Sequence, residues 1–143
     1  MMKTVFYLCA GILLAFAGCR NQQMGVSSSR LKGEWNIVEM NGNQLVGEDA
    51  KPRLAIEAVP GKFSGYAGCN AFAGEVALRR EGRVRFLRIV STRKACLDMR
   101  MEDALLRALN EVRYVEGEGE TNARLIFYDT NRRRLFAVER PLR

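Results

Sequence analysis

The stretch Glu75-Val-Ala-Leu78, Arg79-Arg80-Glu81-Gly82, Arg83-Val-Arg-Phe86 decides the fold. Val84 and Phe86 fall on one side of an extended chain, and Arg83 and Arg85 fall on the other. That alternation marks a half-buried antiparallel strand, because successive side chains of a strand point to opposite faces. Arg80-Glu81-Gly82 is a turn, so Glu75–Leu78 and Arg83–Phe86 read as a hairpin.

Upstream, the same grammar repeats. Trp35–Met40 is rich in strand formers and ends in Asn41-Gly42-Asn43, a strong turn signal. Pro52–Glu57 alternates Leu54 and Ile56 with polar or small residues, and Pro60-Gly61 closes it. Lys62–Tyr66 follows as its hairpin partner, with Phe63 and Gly65 on one face.

Downstream of Cys96 the period changes. Met101, Leu105, Ala108, Leu109 and Val112 recur at the spacing of one helical stripe, with Asp103, Arg107, Asn110 and Glu111 on the far side. Asp98 is the expected N-cap, and Glu102 and Asp103 suit the first turn, where the helix dipole favours negative charge. Gly117-Glu-Gly119-Glu breaks the pattern. Leu125–Tyr128 and Leu135–Val138 frame Asp129-Thr130-Asn131 as a C-terminal hairpin. Strands, one helix, then strands predict an α+β fold. It is mainly antiparallel β, a barrel-like curled sheet of about seven or eight strands packed with one α-helix.

The N-terminus belongs to another grammar. Lys3 precedes an apolar run from Val5 to Ala17, then Gly18-Cys19. The run is about 13 residues, short of the ~20 that cross a bilayer, so residues 1–18 read as a secretory signal. Ala17-Gly18-Cys19 resembles the lipobox of bacterial lipoproteins, with Phe16 where an aliphatic residue is usual. That resemblance implies lipidation of Cys19, attachment to a membrane, and a place in the cell envelope. Arg20 is not the Asp that resembles an inner-membrane retention cue, which favours the outer membrane. Residues 19–30 are polar, carry no period and read as a flexible tether. The domain is then expected over 31–143.

The chain has a net charge of +7, or +6 without Lys3 of the signal (7 − 1). The arginines are spread out and no nucleic-acid motif accompanies them, so nucleic acid is not an expected partner. A basic surface that associates with anionic polymers or lipids of the envelope is the second reading. Cys9 lies in the signal and Cys19 is the lipidation site. Cys69 and Cys96, 27 residues apart (96 − 69), form an even pair in an oxidising compartment and read as one disulfide. The alternative is a pair of free thiols, which would make the chain a thiol-redox protein. There is no His, which removes Ser/His/Asp triads, Cys/His dyads and His-based zinc sites. No phosphate loop or calcium loop is present. No cofactor, metal or catalytic residue is expected.

Gly68-Cys69-Asn70-Ala-Phe72-Ala-Gly74, then Thr92-Arg-Lys-Ala-Cys96, then a helix with Glu102 and Leu109 follow one another in order. With Trp35 in front and Leu135-Phe136 behind, this pattern resembles the META domain family, which includes a heat-shock-inducible bacterial outer-membrane protein. Val76 departs from it, since an aromatic is common there. The resemblance implies a non-catalytic envelope role in stress tolerance or envelope maintenance, acting by binding an envelope protein or a small molecule. The residues themselves have scaffold explanations. Gly68 and Gly74 allow unusual backbone or close approach. Asn70 is suited to bonding its own backbone in a bend, and Thr92 to satisfying a loop amide. The functional alternative makes Gly68, Asn70, Gly74 and Thr92 a recognition edge.

Overall fold

The computed structural model describes residues 25–47, 52–119, 121 and 123–142. The signal segment and Cys19 lie outside them. The chain runs α1 (Ser28–Leu31), β1 (Gly33–Met40), β2 (Asn43–Gln44), β3 (Arg53–Ile56), β4 (Gly61–Tyr66), β5 (Ala71–Leu78) and a 3-10 turn (Arg80–Gly82). It continues through β6 (Val84–Ser91), α2 (Arg100–Glu111), β7 (Tyr114–Glu118), β8 (Arg124–Tyr128) and β9 (Arg134–Glu139).

All pairings are antiparallel, in the order β6-β5-β4-β3-β1-β9-β8-β7, with β2 added to β1. The sheet curls into a half-barrel because strands twist and shift register around it. Its two outer strands touch at one end only. Arg83 bridges Tyr114, and the Val84 N–H donates to the Arg113 carbonyl at 3.0 Å. Helix α2 lies against β6 and β9 and turns Leu105, Ala108 and Leu109 inward.

Register fixes which residues face the core. Trp35, Leu54, Gly65 and Phe72 form one inward row, and Trp35, Leu54 and Phe72 are all buried. Rings then run through the interior as Phe72, Phe63, Phe86, Phe127 and Phe136, with successive centroids 4.6–6.2 Å apart. Such offset and tilted pairs add to the burial of their area. Gly74 sits at a β-bulge where a Cβ would stand 2.7 Å from both the Leu87 carbonyl oxygen and the Phe63 ring. Only a residue without a side chain fits there.

Three expectations need correction. Order begins ahead of residue 31: Val26 is buried, and the Ser27 carbonyl accepts from the Arg30 and Leu31 amides, so residues 25–30 are not tether. The sequence predicts no strand between the helix and Leu125, yet Tyr114–Glu118 forms β7: Val115 is buried and five residues pair with β8. Asp98 stands two residues before the start of α2, one before its N-cap Met99. Its carboxylate accepts from the Arg100 amide at 3.0 Å and pairs with the Arg100 guanidinium at 2.7 Å. That guanidinium holds Asp98 well below the usual carboxylate range, at about 2.

Candidate functional site

The corner between β4 and β5 is a closed polar knot. Gly68 has φ +109°, a conformation that L side chains rarely adopt, and it leads the chain into Cys69 and Asn70. Asn70 is 1% exposed and fully engaged. Its Nδ2 donates to Glu102 Oε1 (2.7 Å) and to the Lys94 carbonyl (3.1 Å). Its Oδ1 accepts from the Thr92 hydroxyl (2.8 Å) and the Lys94 amide (2.7 Å). Its backbone N–H donates to Glu102 Oε2 at 2.8 Å. Asn70 therefore does not bond its own backbone in the bend, as its residue type suggested. It bonds the segment after β6 and the first turn of α2 instead. Thr92 Oγ1 also accepts from the Ala71 amide at 3.2 Å.

Glu102 is the residue that sequence reasoning missed. The sequence places it near the helix dipole and in the family pattern but names no partner for it, yet it is 4% exposed and both oxygens serve Asn70. The available signal was its spacing from Leu105 and Leu109, which puts it on the core side of the helix. Beside the knot, a disulfide joins Cys69 to Cys96 with Cα atoms 6.3 Å apart. Cys96 lies four residues before α2, outside the turn where a helix dipole would favour a thiolate.

The structure therefore brings Gly68, Asn70 and Thr92 together, with Gly74 farther along β5 at the bulge. The knot leaves no polar group of Asn70 free for a ligand. A second buried carboxylate, Glu39, lies on the outer side of β1. Arg124 Nη2 donates to its Oε2 at 2.6 Å. Arg134 Nε stands 3.2 Å from its Oε1, and Arg124 Nε 2.9 Å from Glu118, as ion pairs not aligned for hydrogen bonding. The opposite end of β1 is held by Arg140, whose guanidinium stacks on Trp35 at 3.7 Å and donates to the Arg30 and Lys32 carbonyls. Burial lowers its pKa from the ordinary arginine value.

The open feature is a groove of about 690 Å³ across the outer face of β1, β3, β4, β5 and β6. Register explains it. The outward row Glu34, Ala55, Ser64, Ala73 and Val90 has three small residues at its centre. The next row, Asn36, Arg53, Tyr66 and Ala71, supplies a ring at one side and a guanidinium beside it. Val90 on β6, two-thirds exposed, and Thr92 just after it border the groove, so the groove adjoins the knot. Among the described residues no cluster of three or more His, Cys, Asp or Glu side chains is placed to hold a metal ion. Among them no helix is long and apolar enough to cross a membrane.

The model of the META domain matches residues 29–141. The chain belongs to the META domain family. The META domain thus spans both the knot and the groove. Solved structures agree on the fold alone. A protein from Burkholderia xenovorans, solved by NMR, is 21% identical with a TM-score of 0.63, and the match covers 78% of this chain and 83% of that one. A DUF4847 family protein from Bacteroides vulgatus, solved by crystallography, is 14% identical with a TM-score of 0.54, covering 78% and 94%. No curated protein matches the chain.

Proposed function

We propose that this META domain is a non-catalytic, lipid-anchored binding module of the cell envelope, holding an apolar ligand in the outer-face groove. The groove carries the reading. Its volume lies within the ~300–1,000 Å³ of small-molecule sites, and its alanine-rich floor offers apolar contact. Arg53 and Glu34 at its border would orient a ligand with one polar end. The polar residues of the family pattern, in contrast, are engaged with one another, which supports a scaffold role for them. In this reading the anchor is the lipid on Cys19 and the work is stress tolerance or envelope maintenance at the outer membrane; the lipobox-like Ala17-Gly18-Cys19 and the family resemblance support it.

The test of the groove uses 1-anilinonaphthalene-8-sulfonate, an apolar ring system with one anionic end. Its fluorescence should rise on the wild type, fall to background with Ala73→Trp, and weaken with Arg53→Gln. Ala73 is exposed on the sheet's outer face, so the indole fills the groove without entering the core. An unchanged signal with Ala73→Trp rejects the groove. The anchor has its own test: Cys19→Ser should abolish labelling by a fatty-acid analogue, and persistent labelling rejects it.

A further inference from the structure

Resting on the anchored reading, we infer that the arginine-lined end of the half-barrel, beside the 3-10 turn, is the face that docks on anionic lipid headgroups of the bilayer. Arg79, Arg83, Arg85 and Arg113 line a recess of about 400 Å³ there, next to Tyr114 and Thr130. Arg79, Arg83 and Arg85 are exposed, and Arg80 extends the cluster on the turn itself. Glu81, the acid of that turn, pairs with Arg83 at 3.1 Å. Among the described residues, Arg79, Arg80 and Arg85 have no carboxylate partner. Guanidinium groups match phosphate in shape and hold it by paired hydrogen bonds.

Chain geometry turns this end toward the bilayer. Gly25 packs against the same turn: a Cβ on it would lie 3.7 Å from the Gly82 nitrogen and 4.0 Å from Glu81 Cα. Val26, buried in the core, pins that exit point. Six residue steps separate Gly25 from Cys19, a reach of about 20 Å even when fully extended. A lipid on Cys19 therefore keeps the exit point, and the arginines around it, within about 20 Å of the headgroups. Electrostatic attraction acts over about 8 Å at physiological salt, a distance comparable with the reach of so short a connection.

The experiment uses the chain from residue 19 onward with Cys19→Ser, so that no acyl chain contributes, and sedimentation with vesicles. Vesicles of phosphatidylcholine with 30 mol% phosphatidylglycerol should bind it at low salt; pure phosphatidylcholine should not. Each arginine removed should lower the partition coefficient about fivefold, so Arg79→Gln with Arg85→Gln should lower it about 25-fold. Arg93→Gln with Lys94→Gln, at the other end of β6, changes the net charge equally and should lower it less than threefold. Equal losses for the two pairs, or binding that ignores phosphatidylglycerol, overturn the proposal. So does displacement by soluble polyphosphate at equal phosphate concentration, which would make a polymer the partner. Fatty-acid labelling of the wild type reports on the anchor separately, so either reading is able to fail alone.

Discussion

Replacing Glu102 by glutamine is the sharpest perturbation of the knot. The change keeps the side chain's shape but replaces one acceptor oxygen with an NH2 donor. Both oxygens are in use, at 2.7 Å from Asn70 Nδ2 and 2.8 Å from Asn70 N. With Asn70 and Glu102 both buried, one Asn70 donor must then face a donor with no water to replace the lost partner. A stranded buried donor costs about 1–3 kcal/mol, and loss of the charge-assisted bond adds about 1 kcal/mol. Glu102→Gln should therefore destabilise by about 2–4 kcal/mol, a large part of the ~5–15 kcal/mol of a small domain. Trp35, the single tryptophan and 1% exposed, reports unfolding by its fluorescence in urea. The midpoint should fall by about 1 M or more at the usual slope of ~1–3 kcal/mol/M. Asn70→Ala alone and combined with Glu102→Gln closes a double-mutant cycle, with an expected coupling of at least ~0.5 kcal/mol. A loss under ~0.5 kcal/mol for Glu102→Gln, or additive single variants, would refute the account of the knot.

Three further outcomes are expected. Replacing Cys69 and Cys96 together by serine opens a 27-residue loop and should lower stability by roughly 3.5 kcal/mol in the chain-entropy model, read by the same urea titration. Gly74→Ala forces a Cβ against the Leu87 carbonyl and the Phe63 ring and should cost about 1–3 kcal/mol, whereas Ala55→Gly on the groove floor should cost under ~1 kcal/mol. Acid should weaken the fold through Asp98 and Asp129. The hydrogen bonds from Arg100 lower Asp98 to about 2. Burial works to raise Asp129, but the Arg133 and Asn131 donors outweigh it and hold it below the ordinary value. Both folded pKa values lie below the unfolded ones, so their stabilisation is complete above the unfolded carboxylate range of about pH 4. It is lost as pH falls through the folded values, near 2 for Asp98. Melting temperature should drop between pH 5 and pH 2, and less steeply in Asp98→Asn.

The hairpins were legible because their evidence is local. Val84 and Phe86 against Arg83 and Arg85 state the buried face of β6 without help from other strands, and the α2 stripe states its own. β7 was not legible: Gly117 and Gly119 carry loop signals, and the pairing of Tyr114–Glu118 with β8 overrides them. Asn70 and Thr92 were recognisable as a corner, but their partner Glu102 lies 32 positions beyond Asn70. Its spacing from Leu105 and Leu109 marks the core side of α2, but nothing local names that corner as what the carboxylate is buried against. The groove was invisible for a related reason. Ala55, Ser64 and Ala73 are unremarkable in their own strands, and form a trough only when the register sets them side by side.

Strand β6 joins the two surfaces on which the functional reading turns. Arg85 near its start lines the arginine recess, and Val90 near its end borders the groove. Five residue steps at ~3.3 Å each put Arg85 and Val90 about 17 Å apart. That is about two Debye lengths at physiological salt, so headgroup charge felt at the recess is largely screened at the groove. An apolar ligand entering the groove would meet neither the bilayer nor its potential, and its access would stay open from the aqueous side. The knot stiffens the groove end of β6: Asn70 ties the corner after β4 to the segment leaving β6 and to α2. A weakened knot should therefore disturb groove binding while leaving vesicle binding intact. Glu102→Gln, measured under conditions where it remains folded, should reduce the fluorescence of the bound naphthalene probe and leave the phosphatidylglycerol-dependent partition unchanged. Loss of both together would mean that the two ends of the sheet are not the independent surfaces this geometry makes them.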